Sequence, residues 1–363
     1  HKLRFDQSHY APTYVIINGL VRGIYYMKET IDSLYTKEYY DRPRANILVN
    51  NIGGSNQIVS GTATSSSSIW APPASTQWGW FYNWAMQTNT NVHNPTLYYR
   101  ISDSLDFNSL NDYMIYNMLS VNTDFIKRYG SWWKGLPTDT ADHRPAKWRF
   151  ALTNTDFSWG YDVLNSAGLP NTSATNDPCD YMASYGLTWP SYGNNPGNTN
   201  SPIIPLWYKL MANDTFKSEF ITRYSDLLNT ALTCDSLTDH LKYVRSLLTA
   251  KDMAGHAWTH MGDVNGTCIG CDSVSYWNDQ MDSIKVFILQ RCSLVNEGLT
   301  NCFPEISGPY NLCINVDPPN SGYVQLNSLE LKSFIWNGKY FDSIINVIKG
   351  IPYQNYVFDH WET

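Results

Sequence analysis

The sequence predicts a mixed α/β (α+β) fold in which a largely helical region is followed by a small all-β module. Asn18-Gly19 separates two apolar runs near the N-terminus, and Asn-Gly between such runs is the strongest short-range signal of a β-hairpin. Long amphipathic segments fill the middle of the chain, and short alternating strands come after them. With 363 residues, 43% of them hydrophobic, the chain can bury a large core.

The first third of the chain is predicted to begin with this hairpin, over residues 13–29, followed by a helix over residues 30–40. Residues 50–76 are rich in Gly, Ser and Thr, which is typical of a flexible surface insertion. A further helix is predicted to open at Asp103 and to end at the first NTDF sequence. Its apolar stripe keeps a 3.6-residue period and consists of Leu105, Leu110, Tyr113, Met114, Asn117 and Met118.

The sequence KWRFALT predicts a short strand beginning near Lys147, and residues 161–205 form a long irregular stretch rich in Gly, Pro and Asn. A loop of that length in a compact domain is usually functional or disordered. Amphipathic helices are predicted over residues 206–232, 235–261 and 276–299. A domain boundary is predicted near Gly308, before short strands broken by turn residues.

The composition excludes some classes of function and favours others. Charged residues make up 16% of the chain, against roughly 25% in an average soluble protein, and aromatic residues make up 15%. This balance favours an exported or surface-displayed protein. A net charge of −7 without a Lys/Arg cluster argues against nucleic-acid binding. No apolar run approaches the roughly 18 residues that a membrane span needs.

The chain has seven cysteines, an odd number, so they cannot all pair within the chain. In an exported protein we expect them to form a few disulfides with one thiol left over. Cys268 and Cys271 form a single CxxC without a second pair or a His at zinc spacing. They therefore fit a disulfide or an idle thiol pair better than a metal knuckle.

The tetrapeptide NTDF occurs twice, at Asn122–Phe125 and at Asn154–Phe157. The flanking sequences share nothing, which excludes a structural repeat. Two loops remain, each presenting an Asn-x-Asp. Taken alone, an Asp at a helix end is most often a cap or a solvated loop residue.

The order of these segments resembles the CotH-type spore-coat kinase family, atypical secreted protein-kinase-like enzymes of bacteria. The sequences that carry the resemblance are NG…GIYYMKETID, the helix ending in N-x-D, two Trp with a basic residue, KWRF…D-F…G and LWYKLMANDTFKSEFITRYSDLLNT. They run from about Tyr14 to Leu299. The tail GYVQLNSLEL…GKYFDSIINVIKG resembles, over a shorter length, a divergent bacterial β-repeat module of cell-surface proteins.

The resemblance implies an atypical kinase-like bilobal fold with a truncated N-lobe and a mostly helical C-lobe. It implies a kinase-like domain over residues 1–307 and a β-repeat module, not necessarily complete, over residues 308–363. Because the chain opens almost directly in a strand, we expect the first part of the N-lobe, with its phosphate-binding Lys, to precede His1.

The resemblance also implies roles for the two NTDF loops. Asp156 corresponds to the metal ligand and Asp124 to the catalytic-loop acid. Asn122 and Asn154 are placed to add amide oxygens for the nucleotide and the metal, and Glu29 is expected to line the nucleotide pocket. The implied cofactors are ATP and a divalent cation, Mg²⁺ or else Mn²⁺ or Ca²⁺, which prefer oxygen ligands.

Two departures from the family pattern keep the function open. The metal loop of the family usually reads D-x-D-x-x-x-G, and here Asn154 replaces its first acid. Arg128 and Tyr129 stand where the family's catalytic loop carries an Asn.

Three hypotheses follow. The first is a metal-dependent kinase acting on Ser or Thr of an exported or surface protein. The second is a degenerate kinase fold that serves as a surface binding or scaffold module. The third is a glycoside hydrolase using Asp124 and Asp156 as paired acids, which would need them roughly 5–10 Å apart.

Overall fold

A computed structural model describes residues 3–42, 45–50, 56–60, 74–122, 130–135, 146–152, 155, 158–160, 173–180, 203–249, 251–253 and 274–362. In this part of the chain the helices are α1 (Ser33–Tyr40), α2 (Ala74–Met86), α3 (Pro95–Ser102), α4 (Phe107–Ser120), α5 (Ile203–Met211), α6 (Asp214–Leu228), α7 (Cys234–Ser246) and α8 (Val274–Cys302). The strands are β1 (Asp6–Gln7), β2 (Tyr10–Ile17), β3 (Leu20–Lys28), β4 (Ala45–Asn50), β5 (Asn56–Ser60), β6 (Gly130–Gly135), β7 (Arg149–Leu152), β8 (Tyr310–Asn315), β9 (Gly322–Leu326), β10 (Leu329–Leu331), β11 (Ile335–Tyr340) and β12 (Ile348–Pro352). The predicted mixed α and β composition is therefore confirmed.

The strands form four small sheets among the described residues. The largest has the order β1-β7-β6-β4-β5, with β1 parallel to β7 and the other pairs antiparallel. The hairpin β2–β3 stands as a separate sheet, and the tail forms two more, β10-β9-β12 and β11-β8.

The N-terminal hairpin is confirmed, with its turn at Asn18 and Gly19. Both turn residues have positive φ, 53° and 79°, as the tight hairpin turn that suits Asn-Gly requires. A register shift between Tyr14 and Ile16 breaks the simple alternation of faces along β2. Large apolar side chains of the hairpin are exposed to solvent, for example Ile16, which is 62% exposed.

The central helix α4 packs on β7, and most of its residues are buried. Asp106 caps its N-terminus by accepting a hydrogen bond from the backbone of Ser109. All six residues of the predicted stripe are buried. The five apolar residues of the stripe join one large core with α2, α5, α6 and α8, which includes the fully buried Trp132, Trp148 and Trp207.

The tail from Tyr310 to Pro352 has a small core of its own, yet it is attached to α6. Ile314, Val324 and Leu329 belong to that core, while Phe341 packs into the main one. On α6, Asp226 is completely buried and accepts hydrogen bonds from Tyr340 (2.8 Å) and from the backbone of Ser328 (3.0 Å). The tail is thereby fixed to the helical region by polar as well as apolar contacts.

One sequence expectation is wrong in part. Residues 50–76 are expected to form a flexible insertion, but Asn56–Ser60 is an edge strand paired with β4 and α2 begins at Ala74. The two apolar residues of β5, Ile58 and Val59, are adjacent and do not alternate with polar ones, and α2 is rich in aromatic residues on several sides. Neither segment therefore shows a clean period. Residues 51–55 and 61–73 lie outside the described part.

Candidate active site

The described ends of the two NTDF loops lie together. The α4 helix and β7 run side by side, with the backbone N–H of Phe150 donating to Ser109 Oγ at 2.9 Å. Beyond them, the N–H of Trp159 donates to the carbonyl of Ser120 at 2.7 Å. Ser120 is the last residue of α4, before the first loop, and Trp159 follows the second loop. One hydrogen bond therefore joins the two loops at their bases.

Of the predicted site residues, the structure describes Asn122 and Glu29. Asp124, Asn154 and Asp156 lie outside the described residues. Among the residues that are described, no three His, Cys, Asp or Glu side chains come together as a metal-binding group. No helix in the described ranges is long and apolar enough to cross a membrane.

Asn122 is completely buried and held by the last turn of α4. Its backbone N–H donates to the carbonyl of Asn117 at 3.0 Å, and its Nδ2 donates to Asn117 Oδ1 at 2.9 Å. Asn117 in turn donates to the carbonyl of Tyr113 at 2.7 Å. Between them Val121 ends the helix with φ 51°, which is unusual for a β-branched residue. The first loop thus starts from a rigid and strained position.

A buried arginine from α8 completes the end of α4. The Arg291 guanidinium is 1% exposed and donates to the carbonyls of Met118 (2.8 Å) and Leu119 (3.0 Å). It also donates to the carbonyl of Asn176. The last carbonyls of a helix lack partners within the helix, and a cation at that end is favourable. Arg291 therefore fixes the point at which the first loop leaves α4.

The second loop ends at Gly160, where α8 makes contact again. Gly160 has φ +76°, and a Cβ on it would meet a ring carbon of Phe287 at 2.4 Å. Only glycine fits both conditions. This is the Gly of the D-x-x-x-G pattern that follows Asp156. Its side-chain-free backbone lets the loop pass against the Phe287 ring.

Glu29 lies at the base of the hairpin and is bound by neighbouring side chains. Its carboxylate is 2.9 Å from His9 Nδ1, and Tyr39 stacks on His9 with the ring centroids 5.9 Å apart. Partial desolvation raises the pKa of Glu29, but the hydrogen bonds from His9 outweigh it and hold that pKa below its ordinary value. Glu29 is therefore an ionised residue with its orientation set by His9.

The base of the hairpin also lies near the second loop. The Trp159 indole donates to the hydroxyl of Tyr116 at 3.4 Å. Burial raises the pKa of Tyr116, the Trp159 hydrogen bond lowers it, and the nearby phenol of Tyr10 raises it. Tyr10 pairs with Lys28 at the open end of the hairpin. The hairpin base and the bases of both loops thus surround one end of α4.

A cleft of about 490 Å³ lies elsewhere, at the opposite end of α4. Its lining includes Asp106, Arg149 and Trp133. Since α4 has 14 residues, its two ends are about 21 Å apart. The cleft is therefore distinct from the loop site.

A partly buried ionic cluster adjoins this cleft. Asp6, 3% exposed, accepts hydrogen bonds from Trp133 Nε1 at 2.7 Å and from the Tyr40 hydroxyl. Arg149 lies 3.6 Å from Asp6 and pairs with Asp106. Burial raises the pKa of Asp6 despite the opposing charge of Arg149. Because these groups bind one another across β1, β6, β7 and α1, we assign them a structural role in joining the sheet.

The contacts that shape the loop site join residues far apart in the sequence. Arg291, Phe287 and Val121 are not among the site residues that the sequence predicts. Arg291 donates to a carbonyl 172 residues away in the sequence, so no local sequence pattern predicts this contact. Only the D-x-x-x-G spacing points to Gly160.

Comparison with known proteins supplies one finding. A family model described as "CotH kinase protein" matches residues 1–295. The comparison with curated proteins yields no match. The matched residues include both NTDF loops and the base of the hairpin, and the strands from Tyr310 onward lie beyond them.

Proposed function

Because this chain belongs to the CotH kinase protein family, whose model matches residues 1–295, we propose that it is a metal-dependent, ATP-using protein kinase-like enzyme. Its reaction is transfer of the γ-phosphoryl group of ATP to Ser or Thr of an exported or surface protein. The low content of charged residues, 16%, supports a role outside the cytosol.

The observation that carries this proposal is the hydrogen bond from Trp159 N to Ser120 O, 2.7 Å long. It joins the bases of two loops that each contain an Asn-x-Asp. Phosphoryl transfer needs a metal-binding acid and an acid that positions the attacking hydroxyl. Two such loops rising from one base can supply both groups to the same substrate.

The donor set fits a hard divalent cation, because carboxylate and amide oxygens are its preferred ligands. We assign Asp156 and Asn154 as metal ligands, with Asn122 contributing to the cofactor site from its fixed position just after the end of α4. When bound, the nucleotide would supply the phosphoryl group, and the metal ion would offset the negative charge of the phosphates. Asp124 would accept a hydrogen bond from the acceptor hydroxyl and orient it for attack.

The bilobal arrangement is part of the same proposal. In it, the hairpin is a remnant of the N-lobe and α4 to α8 form the C-lobe. Two observations support this arrangement. Tyr14 of the hairpin donates to Asp252 at 2.6 Å, and Tyr10 lies near Tyr116 of α4. Glu29 would then face the nucleotide between the lobes.

Nucleotide binding and turnover test the proposal separately. The melting temperature should rise when ATP and Mg²⁺ or Mn²⁺ are added together, and radiolabelled ATP should label an acceptor protein or the chain itself. Asp156→Ala should abolish both effects, whereas Asp124→Asn should keep the binding and lose the labelling. Asp103→Ala, at an exposed Asp beyond α3, is the matched control and should keep both. No nucleotide-linked stabilisation of the wild type would overturn the proposal.

One observation favours a second candidate, a kinase fold retained as a binding scaffold. Asn154 stands where the family carries an acid, so the metal site has lost one negative charge. In an enzyme, Asn154→Asp should tighten metal binding, because an anionic ligand replaces a neutral one beside the cation. In a scaffold, the same change places two carboxylates side by side with no cation between them.

Melting temperatures of wild type and Asn154→Asp, with chelator and with excess Mg²⁺ or Mn²⁺, separate the two candidates. We expect the variant to gain stability over the wild type only when metal is present. Destabilisation of the variant under both conditions would support the scaffold.

A further inference from the structure

Two half-buried cysteines face each other between helices α7 and α8. At one end of this helix pair, Arg245 donates to Asp282 Oδ1 at 2.8 Å and to Asn278 Oδ1 at 2.6 Å. The end of α7 thus meets the beginning of α8, and the helices run antiparallel. Cys234 lies about three helical turns before Arg245, and Cys292 lies about three turns after Asp282. The antiparallel register therefore brings both cysteines to one level.

The two thiols are neighbours in the structure. Cys234 and Cys292 are both reduced and partly exposed. Burial raises the pKa of the Cys292 thiol, and its hydrogen bond with the Cys234 thiol raises it further. The antiparallel register and this interaction both place the two thiols side by side, so that a small side-chain adjustment would bond the sulfur atoms.

The same helix already carries one disulfide. Cys302 at the end of α8 is bonded to Cys179, and this bond fixes the segment whose Asn176 carbonyl accepts from Arg291. Conditions that oxidise this pair also supply the oxidant that a neighbouring pair needs. The fold therefore has one oxidised pair and one reduced pair along a single helix.

We propose that Cys234 and Cys292 are a redox modification site, which closes to a second disulfide between α7 and α8. With glutathione disulfide as the oxidant, the Cys234 thiolate attacks one of its sulfurs and releases one glutathione thiolate, leaving a mixed disulfide. The Cys292 thiolate then displaces the second glutathione. The two cysteines lose two protons and two electrons, and glutathione disulfide is reduced to two thiols.

This assignment of the attacking sulfur follows from the environment of the pair. Burial raises the pKa of the Cys292 thiol, so Cys292 is the poorer attacking group at first, and Cys234 at the start of α7 makes the initial attack. Closure of the bond would brace α8 at the residue next to Arg291. It would therefore strengthen the support of the α4 end, whether or not the proposed kinase activity exists.

The test is peptide mapping of the full chain after equilibration with reduced and oxidised glutathione and alkylation of the remaining thiols. We expect a peptide that links Cys234 to Cys292, in addition to the Cys179–Cys302 peptide. The exposed Cys313 is the internal control and should be alkylated. Recovery of Cys234 and Cys292 as alkylated thiols, as stable glutathione adducts, or paired with Cys268 or Cys271 would overturn the proposal.

Thermal unfolding supplies a second readout. Oxidised glutathione should raise the melting temperature of the wild type by about 5 °C, as expected for closing a long loop in a chain of this size. The double variant Cys234→Ala/Cys292→Ala should show no such rise, and Cys313→Ser should behave like the wild type. An equal rise in the double variant would contradict the proposal. If the double variant does not fold, the peptide map of the wild type decides the question.

Discussion

Individual residues in the loop site are held by contacts that tolerate few substitutions. Val121 and Gly160 both have positive φ, one before the first NTDF loop and one after the second. Strained backbone of this kind persists only where the surroundings fix it. Here the surroundings are the polar network of Asn117 and Asn122 at one loop and the Phe287 ring at the other.

The first prediction at this scale concerns Gly160. Gly160→Ala should lower the free energy of unfolding by about 2–4 kcal/mol, because it combines a left-handed backbone with an overpacked contact. Gly79→Ala is the matched control, since Gly79 lies within α2 and a methyl group added there would meet nothing within 4 Å. It should raise stability by up to about 1 kcal/mol. Urea denaturation measures both, and equal effects of the two variants would contradict the packing argument.

The second prediction concerns Arg291. Arg291→Ala should cost about 3 kcal/mol, because it leaves buried carbonyls at the end of α4 without their donor. Arg245→Ala, on an exposed ion pair of the neighbouring helix (39% side-chain exposure), should cost less than about 1 kcal/mol. Hydrogen exchange should also speed up in the last turn of α4 in the first variant alone. Unchanged exchange there would show that Arg291 does not support the loop.

At the scale of elements, the sequence predicts those whose signal is local. Asn18-Gly19 predicts the hairpin turn, and the regular stripe of α4 predicts its buried face. By contrast, the segment predicted as one helix over residues 206–232 divides at Asn213, whose side chain caps α6. An Asn within an apolar pattern cannot be recognised as an N-cap from the sequence alone, because its role depends on where the preceding helix ends. The strand β6, GSWWKG, lacks alternation because nearly all of its residues are buried on both faces.

The same limit applies to the candidate site. Sequence resemblance supplies Glu29, Asn122 and the two NTDF loops, because each is a short local motif. It does not supply the partners that hold them. His9 beside Glu29 and Arg291 beside α4 are chosen by tertiary packing, and no spacing rule connects them to the motif.

One prediction concerns the link between the hairpin and the helical region. The Thr249 hydrogen bonds and that of Tyr14 lower the pKa of Asp252 to about 2. The pKa of this carboxyl group in the unfolded chain is near 3.8, so its ionised form stabilises the fold at pH values above 3.8. That stabilisation is lost as the pH falls towards the folded-state pKa of about 2. Tyr14→Phe should raise the pKa of Asp252 partway towards 3.8, because the Thr249 bonds remain.

Carbon-13 NMR titration of the Asp252 carboxyl measures this change. Tyr25→Phe, at an exposed tyrosine of the same hairpin (50% exposed), is the control and should leave the titration unchanged. An identical titration in Tyr14→Phe and wild type would show that the hairpin does not contact Asp252 in solution.

At the scale of the whole molecule, the tail and the helical region are joined through α6. Asn229 exchanges two hydrogen bonds of 2.8 Å with the backbone of Lys339. Asp226 accepts hydrogen bonds from the tail. Arg223 of the same helix forms an ion pair with Asp112 of α4 and donates a hydrogen bond to Ser328 of the tail. The division at residue 308 stays a prediction about domains, but α6 couples the two parts energetically.

The corresponding prediction is that the two parts unfold together. Asp226→Ala should lower the free energy of unfolding by about 3 kcal/mol, since it removes the acceptor of several buried donors. Glu330→Ala, which breaks only an exposed pair with Lys332, should cost less than about 0.5 kcal/mol. Calorimetry should give a single transition for the wild type. Two resolved transitions would contradict the coupling.

The position of Arg291 also sets the order in which this protein can acquire its shape. During synthesis α4 leaves the ribosome long before α8, which carries the guanidinium that binds its last carbonyls 172 residues away. Until then the carbonyls of Met118 and Leu119 lack the Arg291 donor, and the start of the first loop is held only by the remaining contacts at the end of α4, such as that between Asn117 and Asn122. Contacts of such long range form late and slowly. A nascent or prematurely terminated chain lacking α8 would therefore lack these contacts, so the end of α4 acquires its full set of partners only when the helical region is nearly complete.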